Sequence, residues 1–283
     1  MRRLGRWRAA AAALVCLLAL WSFGVEPRWI AARTQSLQVA QWQGPPGLKV
    51  AVASDWHFTR RPWWRVTTPA RARALVEQIN ASQPDVVLIP GDLIADGDYL
   101  PEREATPEDD IAAVLGGLRA RLGVYVVLGN HDWWHDGPAF RAALMRRGLR
   151  VLDNEAVPLA GTPLWVVGIG DHYTGHSDPA RAMARLPPGA QALVLMHDPA
   201  SFADLPPVQG LVVAGHTHGG QVSLPGYGAL IVPGAAPRAW AYGWVQRGAN
   251  RMYVTSGVGV SILPIRFNMR PEWMLFTIDV AQR

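Results

Sequence analysis

The chain has 283 residues, 49% of them hydrophobic and 17% charged, which is enough for a large domain with a buried core and excludes a disordered or collagen-like chain. A single cysteine, Cys16, excludes a disulfide scaffold. Arg2, Arg3, Arg6 and Arg8 carry four charges of the net +5, so the remainder sits near +1 and offers no basic surface for nucleic acid.

The first element is an address segment. A basic start, MRRLGRWR, leads into an apolar run from position 9 to 23, and polarity returns at Glu26 and Arg28. At about fifteen residues the run is longer than many signal cores and shorter than a full span. Residues 1–25 are read as an uncleaved membrane anchor. A cleaved signal, with Ser22 and Gly24 at the −3 and −1 positions, and a buried helix of a soluble domain are the alternatives. Because the arginines precede the apolar run, the positive-inside rule places the N-terminus in the cytoplasm. Everything after residue 25 then lies on the extracytoplasmic side, which is the periplasmic face of the inner membrane in a bacterium. Residues 26–47, with Gln43-Gly44-Pro45-Pro46-Gly47 at their end, read as a linker, and 48–283 as one folded domain.

From residue 48 strands and helices alternate. Positions 48–54 (LKVAVAS) read as a strand, 69–81 as a helix, 85–89 (DVVLI) as a strand, 107–121 as a helix and 124–128 (VYVVL) as a strand. The charged stretch 96–110 reads as a surface loop. Apolar runs recur at 164–167, 192–196 and 211–213, and a helix-poor tail has strand-like segments at 229–232, 252–255 and 274–280. The fold class is α/β.

Nearly every metal-ligand type follows an apolar strand, at the C-terminal strand ends where α/β sheets place their ligands. The strands run into Asp55-Trp56-His57, Gly91-Asp92, Gly129-Asn130-His131-Asp132, His197-Asp198 and Gly215-His216-Thr217-His218. Asp55 and Asp92, the amide of Asn130, and His57, His197, His216 and His218 form a mixed N/O set without thiolate. That set suits two divalent ions such as manganese, iron or zinc. A glycine before Asp92, Asn130 and His216 lets the backbone approach closely. Outside the motifs, His135 and His176 read as solvated loop residues, and so does His172 with Asp171, for which its position after the strand at 164–167 makes the pocket edge the alternative. Trp56, Trp63, Trp64, Trp133 and Trp134 lie in the motif loops, either as core filler or as an apolar rim.

Taken in order, these five motifs resemble the calcineurin-like metallophosphoesterase superfamily over residues 48–220. Gly219-Gly220-Gln221 and the tail Ser261-Ile262-Leu263-Pro264-Ile265-Arg266-Phe267, with Arg270-Pro271-Glu272, resemble its membrane-associated bacterial branch. That branch holds phosphodiesterases similar to YaeI and YkuE and a UDP-2,3-diacylglucosamine pyrophosphatase. The chain departs from the family pattern at Phe58-Thr59, where members commonly carry a glycine two residues past the histidine.

The resemblance implies a four-layer α-β-β-α sandwich with a two-metal site. Asp55, His57 and His218 would hold one ion and Asn130, His197 and His216 the other, with Asp92 bridging. His131 would protonate the leaving oxygen, with Asp132 fixing its tautomer. The implied reaction is hydrolysis of a phosphodiester or pyrophosphate by a metal-bridging hydroxide. The implied substrate is lipid-linked or a nucleotide sugar, with UDP-2,3-diacylglucosamine as one candidate. A broad phosphomonoesterase and a non-catalytic metal-binding envelope protein are the alternatives. No obligate protein partner is indicated.

Overall fold

The structure, a computed structural model, describes residues 2–60, 66–95 and 106–281. Helix α1 (Arg2–Ala19) runs through a π-helical turn (Leu20–Val25) into a 3-10 turn (Glu26–Arg28). The segment Arg6–Arg28 is long and apolar enough to cross a membrane by length and composition. Its large apolar side chains, among them Leu14, Leu17 and Phe23, are exposed.

The remaining elements follow in chain order: β1 (Ala31–Val39), β2 (Leu48–Val52), α2 (Pro69–Ala81), β3 (Val86–Pro90), α3 (Glu108–Leu115), β4 (Val124–Val127) and α4 (Asn130–Arg146). After these come β5 (Arg150–Val151), β6 (Glu155–Pro158), β7 (Trp165–Ile169), α5 (Pro179–Met183), β8 (Gln191–Met196) and β9 (Gln209–Ala214). The tail holds β10 (Ser223–Leu224), β11 (Gly228–Ala229), β12 (Gly243–Arg247), β13 (Asn250–Val254) and β14 (Glu272–Val280). One six-stranded sheet has the order β1-β14-β2-β3-β4-β5, the other β12-β13-β9-β8-β7-β6, and β10-β11 is a separate hairpin.

Strands β2, β3, β4 and β5 run parallel, as do β7, β8, β9 and β13. Parallel strands covered on both faces read as unbroken apolar runs, and every residue of β3 and of β8 is buried. Between the sheets Val50, Val52, Leu88 and Val127 meet Leu193, Leu195, Leu211 and Val213. Helices α2, α3 and α4 cover the outside of the first sheet. A thinner layer, α5 and the 3-10 turn Pro199–Asp204 with Phe202, covers the outside of the second. The four-layer sandwich is thus present, with an attenuated fourth layer.

Helix α2 starts where its cap dictates: Thr68 Oγ1 accepts from the Arg71 amide at 3.3 Å, and Pro69 brings a preset φ to the first turn. Ala72, Leu75, Val76 and Ile79 form its buried stripe. Burying each of the larger side chains contributes roughly 1.5–3 kcal/mol.

Several expectations are corrected. Residues 26–47 are not simply a linker, because β1 pairs along its whole length with β14, from Ala31↔Glu272 to Val39↔Val280. Its pattern hid it: Ala31 and Leu37 are its buried residues, Val39 is half-buried, and the rest is polar or exposed. The helix expected over 107–121 ends at Leu115, before Gly116-Gly117, both poor helix formers. The segment 229–232 supplies only the end of the β10-β11 hairpin. Helix α4, which begins inside the Gly129-Asn130-His131-Asp132 motif, was not anticipated. Within the charged stretch 96–110, residues 96–105 lie outside the described residues and Glu108 to Asp110 begin α3.

Candidate metal centre

The loops leaving β2, β3, β4, β8 and β9 meet at the C-terminal ends of their strands, where the two sheets approach each other. Each brings the expected side chains into one buried cluster: Asp55, His57, Asp92, Asn130, His131, His197, His216 and His218 are all at most 8% exposed. His57 Nε2 lies 2.9 Å from His218 Nε2, and His218 Nε2 lies 3.4 Å from Asp55 Oδ1. On the other side His197 Nε2 lies 3.1 Å from both His216 Nδ1 and Asn130 Oδ1. Between the two groups stands Asp92, whose Oδ2 is 3.5 Å from His57 Nε2 and 3.3 Å from His197 Nε2. Ligand atoms of Asp55, His57 and His218, and separately of Asp92, His197 and His216, fall within 4.8 Å of one another. A third such group joins His131 to His57 and Asp92.

The backbone is bent to make this convergence. Asp55, His57, Asp92, His216 and His218 all have φ between 47° and 69°, the left-handed region that costs a non-glycine residue up to about 1–3 kcal/mol, less for Asp and His. Glycines make room beside them. Gly91 has φ of +82°, and a Cβ there would stand 2.6 Å from the Gly129 amide nitrogen. A Cβ on Gly129 would run into the Asp92 carboxylate.

The electrostatics fit a cation. Burial pushes Asp55 up to about 7, aided by the Asp92 charge. Burial also works against the Asp92 anion, but His197, His131 and His57 outweigh it and hold this carboxylate well below its usual range. His57 and His216 are held down to about 3 by burial and the neighbouring imidazoles, so both keep a free lone pair. His197 goes the other way, lifted well above the imidazole range by Asp92, Asp171 and Asp55 against the cost of burial. Imidazole nitrogens facing each other at 2.9–3.1 Å beside two buried carboxylates are the donor set of a divalent-ion site.

Asp132 has a different task from the one expected. Its Oδ1 accepts from the Leu93 amide at 2.8 Å and the Ile94 amide at 3.2 Å, and its Oδ2 from the Gly129 amide at 2.9 Å. It caps α4 and ties that helix to the loop bearing Asp92, so its effect on His131 passes through the backbone. The His131 amide in turn donates to Asp92 Oδ1 at 3.0 Å.

His135 and His176, expected in solvent, are packed. His135 Nε2 lies 3.2 Å from Glu108, and the His176 ring stacks on Trp133 at 3.7 Å. His172 Nδ1 lies 3.7 Å from Asp198 Oδ2, next in chain to His197. The tryptophans divide: Trp56 is core, stacked with Phe58, whereas Trp134 is 39% exposed with His131 at 5.1 Å and Tyr173 at 5.6 Å between ring centres. Trp63 and Trp64 lie outside the described residues.

Two contributors were missed. Arg266 is fully buried; its Nη1 donates to the His218 carbonyl at 3.0 Å, its Nη2 sits 3.2 Å from His218 Nδ1, and it also donates to the carbonyls of Ser256 and Gly259. Burial lowers its pKa to about 10, which leaves it charged; burial of His218 itself, then His57 and Arg266, hold His218 well below its usual range. Ser261 places Oγ 3.5 Å from His131 Nε2. Both belong to the tail, where no strand-end pattern marks them.

The calcineurin-like phosphoesterase family model matches residues 48–220. The chain is 30% identical over 240 residues to the metallophosphoesterase YkuE of Bacillus subtilis, covering 83% of this chain and 80% of that protein. Over 260 residues it is 28% identical to phosphodiesterase YaeI of Escherichia coli, covering 87% of each. A transmembrane protein with metallophosphoesterase domain from Bos taurus is 29% identical over 256 residues, which cover 83% of this chain and 53% of that protein.

Proposed function

The chain belongs to the calcineurin-like phosphoesterase family and is a metal-dependent phosphoester hydrolase, and on that premise we propose that it cleaves phosphodiester or pyrophosphate bonds with two ions sharing Asp92. The observation that carries this reading is the placement of Asp92 Oδ2 between His57 Nε2 and His197 Nε2, at 3.5 and 3.3 Å. Asp55, His57 and His218 would serve one ion, and Asn130, His197 and His216 the other. Divalent ions held there would supply Lewis-acid activation of water and neutralise charge on the phosphoryl oxygens.

The protein's own part is positioning and proton transfer. Asp92, kept ionised, fixes the two groups relative to each other. His131 Nε2, at the mouth of the cluster, delivers a proton to the leaving oxygen. Trp134 beside it provides an apolar face at the rim. The N-terminal helix would hold the catalytic domain at a membrane, on the extracytoplasmic side if the positive-inside rule governs insertion. A substrate that is lipid-linked or a nucleotide sugar suits that place.

The test is purification of the full chain, metal analysis, and comparison of bis(4-nitrophenyl) phosphate with 4-nitrophenyl phosphate. The proposal expects about two ions per chain in unsubstituted protein and faster turnover of the diester. Preference for the monoester would make it a phosphomonoesterase, and bound metal without turnover of either would make it a binding protein.

A further inference from the structure

Gln221, three residues past His218, ties two loops together. Its Oε1 accepts from the Ser261 amide at 2.7 Å, its Nε2 donates to the Ser261 carbonyl at 3.0 Å and lies 3.4 Å from that of Leu263, and its carbonyl accepts from the Phe267 amide at 2.9 Å. Next to it the β10-β11 hairpin is bonded to the same tail, the Ser223 amide donating to the Phe267 carbonyl at 2.9 Å. These loops turn apolar side chains outward. Leu224, Tyr227, Leu230, Ile231, Ile262 and Leu263 are all exposed, Ile231 to 75% and Ile262 to 82%. Ile262 also has φ of +60°, a region a β-branched residue avoids unless something holds it there. Single exposed apolar residues are ordinary, but a contiguous group of this kind marks a contact surface.

What covers it is indicated by what adjoins it. The Arg266 amide donates to the Ser22 carbonyl at 2.9 Å, and the buried Glu26 carboxylate accepts from Asn268 at 3.1 Å and Met269 at 2.7 Å. The end of the apolar N-terminal helix is therefore fastened to the segment that carries the loops. Exposed Trp21, Phe23 and Trp29 continue the apolar surface on the helix side. Arginines interleave with the aromatics: Arg270 lies 3.8 Å over the Trp29 ring and Arg238 lies 4.5 Å over that of Tyr227. Aromatic rings mixed with arginine at the end of an apolar helix are the composition of a membrane–water interface.

We infer that the hairpin 223–231 and the loop 261–263 lie in the interfacial region of a phospholipid bilayer, beside the N-terminal helix. Ser261, which opens the second loop, has its Oγ 3.5 Å from His131 Nε2, so this places the mouth of the cluster at headgroup depth. Resting on the phosphoesterase reading, the substrate class is then a membrane amphiphile whose phosphoester lies in the headgroup layer.

The test uses the full chain with Cys16→Ala as background and a fluorophore attached at Ile231→Cys, Ile262→Cys or, as control, Arg119→Cys. Arg119 is exposed just before β4, at the opposite end of the first sheet from the cluster. In vesicles of phosphatidylethanolamine and phosphatidylglycerol with brominated acyl chains, quenching of at least twofold is expected at 231 and 262 and none at 119. Water-like, unquenched emission at 231 and 262 overturns the inference. So does shielding that appears without vesicles and grows with protein concentration, which would mean that a second copy covers the patch. Ile262→Asp and Ile231→Asp should leave turnover of bis(4-nitrophenyl) phosphate within twofold and lower that of vesicle-embedded phosphatidyl-4-nitrophenol at least fivefold. Equal loss on both substrates again overturns the surface. Quenching in a chain that hydrolyses neither would leave the surface standing and overturn the phosphoesterase reading.

Discussion

The imidazole of His131 sits beside the ligand cluster with Nε2 turned toward Ser261, which makes metal binding and proton transfer separable in a single variant. His131→Ala should retain both ions and lower kcat by roughly 10²–10⁴-fold for a poor leaving group, the range for loss of a general acid. The defect should shrink for nitrophenolate, which leaves without a proton. Because a nitrogen of His131 also lies within 4.8 Å of His57 and Asp92, loss of an ion on metal analysis would make it a ligand instead. The neighbouring titrations give a second prediction. His197 is lifted well above the imidazole range and Asp55 stands near 7, so both hold protons in metal-free protein at pH 6 that a cation must displace. His57 and His216, held near 3, contribute none. Metal affinity should therefore rise from pH 6 to 8, with about one proton released per loaded site near pH 6, from Asp55 in one group and His197 in the other, and fewer as Asp55 ionises. Calorimetry in two buffers of different ionisation heat measures this, and absence of proton release at pH 6 would contradict it.

At the scale of elements, β1 decides where the domain begins. A chain starting at residue 43 lacks β1, leaves the nine-residue edge of β14 unpaired, and removes Arg33, whose Nε lies 2.7 Å from the fully buried Glu272. An open edge strand is a template for aggregation, and Glu272 would be left with the hydroxyls of Tyr242, Tyr253 and Thr255. Compared with a chain starting at residue 26, it should melt roughly 5–10 °C lower or aggregate, by thermal unfolding and size exclusion. Equal melting would mean that β1 is dispensable. The same element shows what local pattern can reveal. Strands β2, β3, β8 and β9 were legible because burial on both faces demands continuous apolar runs, and α2 because Thr68, Pro69 and a stripe at helical spacing agree. An edge strand has no such demand, and β1 looks like polar coil. Helix α4 was hidden because its first turn is made of site residues and its middle breaks at Asp136, ahead of Pro138. The cluster itself was legible from strand ends. Arg266 and Ser261 were not, since they reach it by side-chain contacts from a tail with no periodicity.

Over the whole molecule, the cluster is divided between the sheets. Asp55, Asp92 and Asn130 follow β2, β3 and β4 of the first, whereas His197, His216 and His218 follow β8 and β9 of the second. Beneath them the sheets are joined by apolar packing, and at this end by contacts such as the His216 amide donating to Asp55 Oδ1 at 3.0 Å. An ion taking ligands from both sides adds a cross-link that exists only in the folded chain. Such a ligand stabilises by about 2.7 kcal/mol when present at 100 times its Kd. For a domain of this size, chelation should then lower the thermal midpoint by roughly 5–10 °C, and added metal should restore it. Asp92→Ala should lose that response almost entirely, because it removes the oxygen facing both groups, while Asn130→Ala should keep part of it. Were chelation to abolish hydrolysis and leave the midpoint unmoved, the folded chain would not hold the ions tightly, and the shared position assigned to Asp92 would be wrong.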